Sequence, residues 1–244
     1  MVWKLIRGQA KLSEPALSDL FHESLSYYDV SRVWLEMIKA KQHTYLVLTK
    51  WADVAADRLQ RLISDFGPQS HIWTGFSAEN QEWLNRRWKW ARKWPTNGKL
   101  FISLEPLLGH VDLTRCLHNK PAWAETCSQY REAARIDWVI AGGESGPGGR
   151  PTHPDWVRCI RDQCLKARVP FFFKQWGDWL PGDQVDADGS KPKAGKNGAR
   201  WCILDRAGNG DASESGEIYV YRVGKRRAGR LLDGRTWDEF PKPN

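Results

Sequence analysis

Several things that would settle the class of this chain at once are missing or scarce. No run of eighteen apolar residues occurs in its 244, which argues against a transmembrane helix and a membrane partner. Met1 to Gly8 holds no apolar core long enough for a signal peptide, so the expected location is the cytoplasm. The cysteines are five, Cys116, Cys127, Cys159, Cys164 and Cys202, odd in number and irregularly spaced. They make no disulfide framework, which suits a reducing compartment. Nor do they make a metal site. Cys159 and Cys164 fall on different faces of a helix, and no second close pair completes a zinc set. The histidines, His22, His43, His71, His110, His118 and His153, form neither His-x-x-x-His nor His-Glu-x-x-His. A Gly-x-Ser-x-Gly elbow is absent, as are a Walker loop and the glycine spacing of a dinucleotide fingerprint.

What is present is basic charge and tryptophan. Lys and Arg number 37 against 29 Asp and Glu, a net charge of +8. That balance favours a polyanionic partner and is also common on proteins that are merely soluble. The 15 tryptophans exceed the six tyrosines and eight phenylalanines separately. Most sit in periodic apolar segments, where filling a core is the simpler role.

A repeated unit organises the chain: a short β-branched or aromatic run, a turn, then helical periodicity. Strands are expected near 43–50, 71–77, 100–105, 137–141 and 169–174, with helices over Asp53–Phe66, about Asn80–Trp94 and Pro154–Ala167. Residues 110–135 read as an irregular insertion, and Pro181–Gly216 as loop. The end of the chain reads as a strand from Ile218, a basic turn and a short second element. Near-continuous apolar strands alternating with helices predict an α/β fold with a parallel sheet, and five such units suit a partial (β/α) barrel. The organisation is then a divergent segment at 1–17, the barrel at 18–180, and a loop-rich appendage of the same domain at 181–244.

In such folds function collects at the C-terminal ends of the strands. Those ends are polar in every unit: Lys50; Ser77 and Glu79; Glu105; Gly142, Gly143, Glu144 and Ser145; Lys174 and Gln175. Each alone is as well explained as a strand cap, but five polar ends in succession point to a shared pocket. The sharpest expectation is that Glu105, Glu144 and Lys174 meet at one rim, as a ligand site or as an ion-pair network that closes it. The glycine-rich turn after Ala141 lets backbone approach a ligand closely.

On the tryptophan-rich helix, Trp83, Trp90 and Trp94 share a face beside Leu84, Trp88 and Ala91, with Arg86, Lys89 and Lys93 opposite. An amphipathic cover with a solvated cationic side is favoured there over a nucleic-acid surface. Lys225, Arg226 and Arg227, with Arg230, are the better candidates for phosphate or nucleic-acid contact, being in a turn.

Several long strings occur together and in order: Ser18-Asp19-Leu20-Phe21-His22-Glu23, Ser103-Leu104-Glu105-Pro106-Leu107-Leu108-Gly109, Trp138-Val139-Ile140-Ala141-Gly142-Gly143-Glu144-Ser145-Gly146, Phe171-Phe172-Phe173-Lys174-Gln175-Trp176-Gly177 and Ala228-Gly229-Arg230-Leu231-Leu232-Asp233-Gly234. Over about Ser18 to Pro241 the chain resembles the phage gene-product 37/68 family of phage and prophage proteins. That family looks like a branch of the radical S-adenosylmethionine barrels. The resemblance implies a radical-SAM type of fold, a [4Fe-4S] cluster on three thiolates, and S-adenosylmethionine on the open iron. Members begin with Trp-Asn-Pro-x-x-Gly-Cys and a nearby Cys-x-x-Cys-Tyr, and this sequence contains neither. The chain then reads as a truncated, degenerate or cluster-free relative, with part of the barrel lost and an apolar strand edge expected to be bare. Two function classes follow. One is a radical-type enzyme acting on nucleic acid, with a partner protein supplying the missing barrel segment and cluster. The other is a non-catalytic protein binding a nucleotide, a nucleic acid or a protein partner.

Overall fold

The structure is a computed structural model that describes residues 2–6, 9–12, 19–95, 97–117, 135–185, 189–191, 201–204 and 218–242, the segments 2–6, 9–12 and 201–204 by their backbone alone. Strands β1 (Val2–Ile6) and β2 (Gln9–Leu12) form an antiparallel pair ahead of helix α1 (Tyr27–Lys39). The Ser26 side chain caps α1 by accepting from the Asp29 amide, and Val30, Trp34 and Met37, spaced along one stripe, are its buried residues. The repeating units follow: β3 (Thr44–Thr49), α2 (Ala52–Phe66), β4 (Ile72–Ser77), α3 (Gln81–Ala91), β5 (Leu100–Leu104), the one-turn α4 (Thr114–Leu117), β6 (Trp138–Gly142), α5 (Pro154–Ala167) and β7 (Phe171–Gln175). β3 to β7 are parallel and lie side by side in chain order. The five expected strands and three expected helices are therefore all present, within a few residues of their expected bounds. Most of the insertion, residues 118–134 with His118, Pro121 and Cys127, lies outside the described residues.

Both faces of the parallel sheet are buried, which is why its strands read as continuous apolar runs. One face, with Val47, Ile102, Val139 and Phe171, packs under the helices. Neighbouring residues on the same strands point the other way, and Leu46, Trp73, Phe101 and Trp138 form a second cluster with Phe172 and Phe240 beside them. Aromatic edges meet faces within it: Trp73 and Trp138 have centroids 6.1 Å apart and nearly perpendicular planes. Gly75 makes room there, since a Cβ on it would lie 2.6 Å from the Phe101 ring.

The strand order runs β2-β1-β3-β4-β5-β6-β7, with no ladder joining the two ends among the described residues, so barrel closure is not part of this sheet. The expected bare edge is corrected as well. β1 lies antiparallel along β3, with Val2 opposite Val47 and Leu5 opposite Thr44. At the other end the chain returns along β7: the Phe173 amide donates to the Trp237 carbonyl (2.9 Å) and the Glu239 amide to that of Phe171 (3.2 Å). Unpaired backbone groups at a sheet edge attract a partner strand, and here this same chain supplies both.

Of the stretch expected to be loop, residues 186–188, 192–200 and 205–216 lie outside the described residues. β8 (Trp179–Pro181), β9 (Trp201–Leu204) and β10 (Ile218–Arg222) make a small antiparallel sheet in the order β8-β10-β9, followed by the short α6 (Lys225–Ala228). An ionic clasp fixes this region to α5. Arg158 pairs with Asp155 (3.0 Å), Asp183 (2.6 Å) and Asp233 (2.6 Å), and Arg161 reaches Asp233 as well (2.5 Å).

The face assigned to the tryptophan helix is corrected at one residue. Leu84, Ala91 and Trp94 are buried, Trp88 and Trp90 pack partly against the core, and Arg86, Lys89 and Lys93 are exposed, whereas Trp83 is 37% exposed under Arg86 and Arg87. Arg87 is buried as well, paired with the carboxylate of Glu79 just before the helix begins.

Candidate functional site

Parallel topology delivers the ends of β3 to β7 to one rim, and the polar residues expected there do gather into charged groups. The first joins β3 to β4. Lys50 Nζ lies 2.8 Å from Glu79 Oε1, and Arg87 Nη1 lies 2.9 Å from Glu79 Oε2. Arg87 also donates to the Ser77 carbonyl at 2.8 Å, so Ser77, itself buried, contributes backbone. The Lys50 side chain is 58% exposed, whereas those of Glu79 and Arg87 are only 12% and 9% exposed. Burial alone would raise the Glu79 carboxyl. The hydrogen bond from Lys50 and the charges of Arg87 and Lys50 outweigh it and hold Glu79 below the usual range.

The second group joins β5 to β7. Lys174 Nζ donates to Glu105 Oε2 at 2.8 Å, and Gln175 Nε2 donates to Glu105 Oε1 at 3.2 Å and to the Gly143 carbonyl at 2.8 Å. Gly142 forms the floor of this group: a Cβ there would stand 3.3 Å from Glu105 Oε1. Among the described residues, the buried Gln175 side-chain oxygen faces no donor. Swapping the amide's oxygen and nitrogen does not cure this, because both current acceptors, a carboxylate and a carbonyl, require the NH2 group.

Glu144 stands apart from Glu105 and Lys174 in its pairing. It accepts from Arg150 through the side chain (2.8 and 3.0 Å) and through the backbone amide (2.8 Å). The Arg150 hydrogen bond is the main reason that the Glu144 carboxyl is held below its usual range. The Arg150 guanidinium in turn is raised, first by Glu144 and also by the charge of Glu79, which relates this group electrostatically to the first. Ser145 is exposed at the tip of the turn. The glycines beneath it permit close approach of two loops. A Cβ on Gly143 would lie 2.0 Å from the Trp176 carbonyl oxygen, and one on Gly177, which has φ +80°, 2.0 Å from that of Glu144.

The basic turn adjoins this end of β7. The Val223 and Gly224 amides donate to the Asp178 carbonyl, and the Trp176 amide donates to that of Gly229. Lys225, Arg226 and Arg227 are exposed between these anchors. Arg230 is turned away from them: its guanidinium pairs with Asp238 and lies over the Phe172 ring, 5.2 Å from the centroid.

Sequence reasoning missed Arg87 and Arg150. A basic residue amid other basic residues on a tryptophan-rich helix reads as solvent-facing, and only the nearby Glu79 signals that one would turn in. Arg150 follows the glycine-rich turn, and that position was its one available signal.

The cysteines whose side chains are described do not fit a [4Fe-4S] cluster. Cys116 and Cys164 are buried in the helical layer, where burial pushes the Cys116 thiol up to about 12 and raises that of Cys164 further. A cluster requires thiolates, and these sites favour the neutral thiol. Among the described residues no group of three His, Cys, Asp or Glu side chains is arranged to hold a metal ion. No helix among them is long and apolar enough to cross a membrane.

No curated protein and no solved structure matches the chain. A family model matches residues 6–241, from the end of β1 through the parallel sheet and the charged rim to the C-terminal return, and the chain belongs to that family, described as protein of unknown function (DUF5131).

Proposed function

We propose that this chain is a binding protein whose sheet rim takes a small polar ligand carrying a hydrogen-bond donor, an amine or amide, beside Glu105 and Gln175. The observation that carries this reading is the Gln175 side-chain oxygen, buried and facing no donor. A buried acceptor left unmatched costs about 1–3 kcal/mol, which a ligand N–H would recover. Glu105 next to it supplies negative charge.

The resemblance to the phage gene-product 37/68 family and to radical-SAM barrels supports the same reading of a phage or prophage protein. S-adenosylmethionine and nucleotides both carry amines of the required kind. Loss of the cysteine motif favours binding over radical catalysis by this chain alone. The basic turn beside β7 favours a nucleotide within a nucleic acid as a second form of the ligand, since Lys225, Arg226 and Arg227 stand where a phosphate backbone leaving the rim would pass.

Titration calorimetry of the whole chain with S-adenosylmethionine, nucleosides and short oligonucleotides tests the proposal. One of them should bind, and Gln175→Leu should weaken that binding about tenfold, the worth of one good hydrogen bond. Unchanged binding by Gln175→Leu, or none by any probe, overturns it.

A further inference from the structure

Between α5 and the loop that follows β5, a thiol and an imidazole meet. Cys159 Sγ lies 3.3 Å from Nε2 of His110. His110 is exposed in the segment that follows β5, and Cys159 is half-buried on α5. Gln163, one turn further along α5, ties the two together. Its side-chain oxygen accepts from the Leu113 amide (2.6 Å), and its NH2 donates to the Val111 carbonyl (3.0 Å) and to Cys159 Sγ (3.3 Å). The loop just after His110 is thus pinned to the helix, and Gln163 gives the sulfur a hydrogen-bond donor. Asp112 is held below the usual carboxylate range, first by hydrogen bonds from Thr114 and in part by the charge of His110, so a carboxylate stands near the imidazole as well. Among the cysteines whose side chains are described, Cys116 and Cys164 are sealed in the core.

A thiol beside a base, with a donor for the developing negative charge and access from solvent, is the arrangement that makes a cysteine nucleophilic. From this geometry we infer that Cys159 is a reactive thiol that exchanges with small disulfides, with His110 as its proton acceptor. The thiol gives its proton to His110 Nε2, and the thiolate attacks one sulfur of the disulfide. The disulfide bond breaks as the bond to Cys159 Sγ forms, and the departing thiolate takes the proton back from the imidazolium. Cys159 is oxidised to a mixed disulfide, and the released half of the small molecule is reduced.

The test is reaction of the intact chain with glutathione disulfide, followed by mass spectrometry of the whole protein and of its peptides. One adduct should form first, on Cys159, about tenfold faster than on the same chain unfolded in urea, where every thiol is unassisted. His110→Gln should remove most of that advantage. Gln163→Leu, which releases the loop from α5 and removes the amide donor to Cys159 Sγ, should reduce it in the same direction. First reaction at another cysteine overturns the proposal, as does a Cys159 rate equal to that of the unfolded chain. Should His110→Gln disturb the fold by circular dichroism, Gln163→Leu decides, and an unchanged rate in a folded variant counts against the role of His110.

Discussion

Two sets of ion pairs sit at opposite kinds of place in this molecule, and they differ in how completely they are used up. In the clasp, Arg158 meets three carboxylates, and Asp233 is met by Arg158, Arg161 and the Gln184 amide. Asp155, Arg158 and Arg161 lie on α5 while Asp183, Gln184 and Asp233 lie beyond it, so the clasp binds α5 to the C-terminal region. At the rim the charges are paired, but a lysine remains 58% exposed and a buried amide oxygen faces nothing. A saturated network stabilises a fold. One with spare valence costs stability in the unliganded chain and is better explained by what it awaits.

The largest expected effect comes from the backbone that supports the rim. Gly143→Ala places a methyl against the Trp176 carbonyl oxygen, at a distance no real Cβ tolerates, and backbone on both sides must shift. Loss of about 3 kcal/mol or more in urea unfolding is expected, together with loss of rim binding. A stable Gly143→Ala protein would show that the two loops are less closely apposed than described. Next is the clasp. Asp233→Asn keeps the shape and tolerates the φ of +53° at this position while removing the charge that faces two arginines. Because Arg158 and Asp233 are about one quarter and one third exposed, about 1–2 kcal/mol is expected rather than the larger cost of a fully buried pair.

Acid should affect the clasp through the same residue. The Arg158 hydrogen bond holds Asp233 far below its ordinary value of 3.8, so the folded state releases this proton more readily than the unfolded chain. Its contribution is complete above the ordinary value and declines as the pH falls below it toward the folded value. Stability measured between pH 5 and pH 2 should therefore fall more steeply in the native chain than in Asp233→Asn, at pH values chosen to bracket the carboxylate range. Parallel curves would remove Asp233 from the account. The smallest effect is reserved for Lys50→Ala, within about 0.5 kcal/mol, since its ammonium is largely solvated and Arg87 still holds Glu79. If Lys50→Ala costs as much as Asp233→Asn, the contrast between clasp and rim collapses.

The parallel strands were legible because burial on both faces leaves no polar alternation to confuse them, and Pro154 at the start of α5 marked that helix clearly. The rim was legible as a set of positions, since topology sends every strand end to one side. Its pairing was not: Glu144 joins Arg150, and Lys174 joins Glu105, because side-chain reach decides between neighbours that strand order treats alike. α1 carried a readable stripe at Val30, Trp34 and Met37, in a segment for which no element was expected. The return of Trp237 to Glu239 along β7 had no local signal at all, since only the geometry of the distant strand gives that segment its partner.

That return has a consequence for the order in which the molecule can be completed. On a ribosome β7 is made well before the segment that shields it, and between those moments its free side is open to any extended peptide. Trp138 also waits, because its indole donates to the Glu239 carbonyl and its ring packs against Phe240. Translation therefore passes through an interval in which the sheet is sticky on that side, and the emergence of residues 237–240 is what ends it.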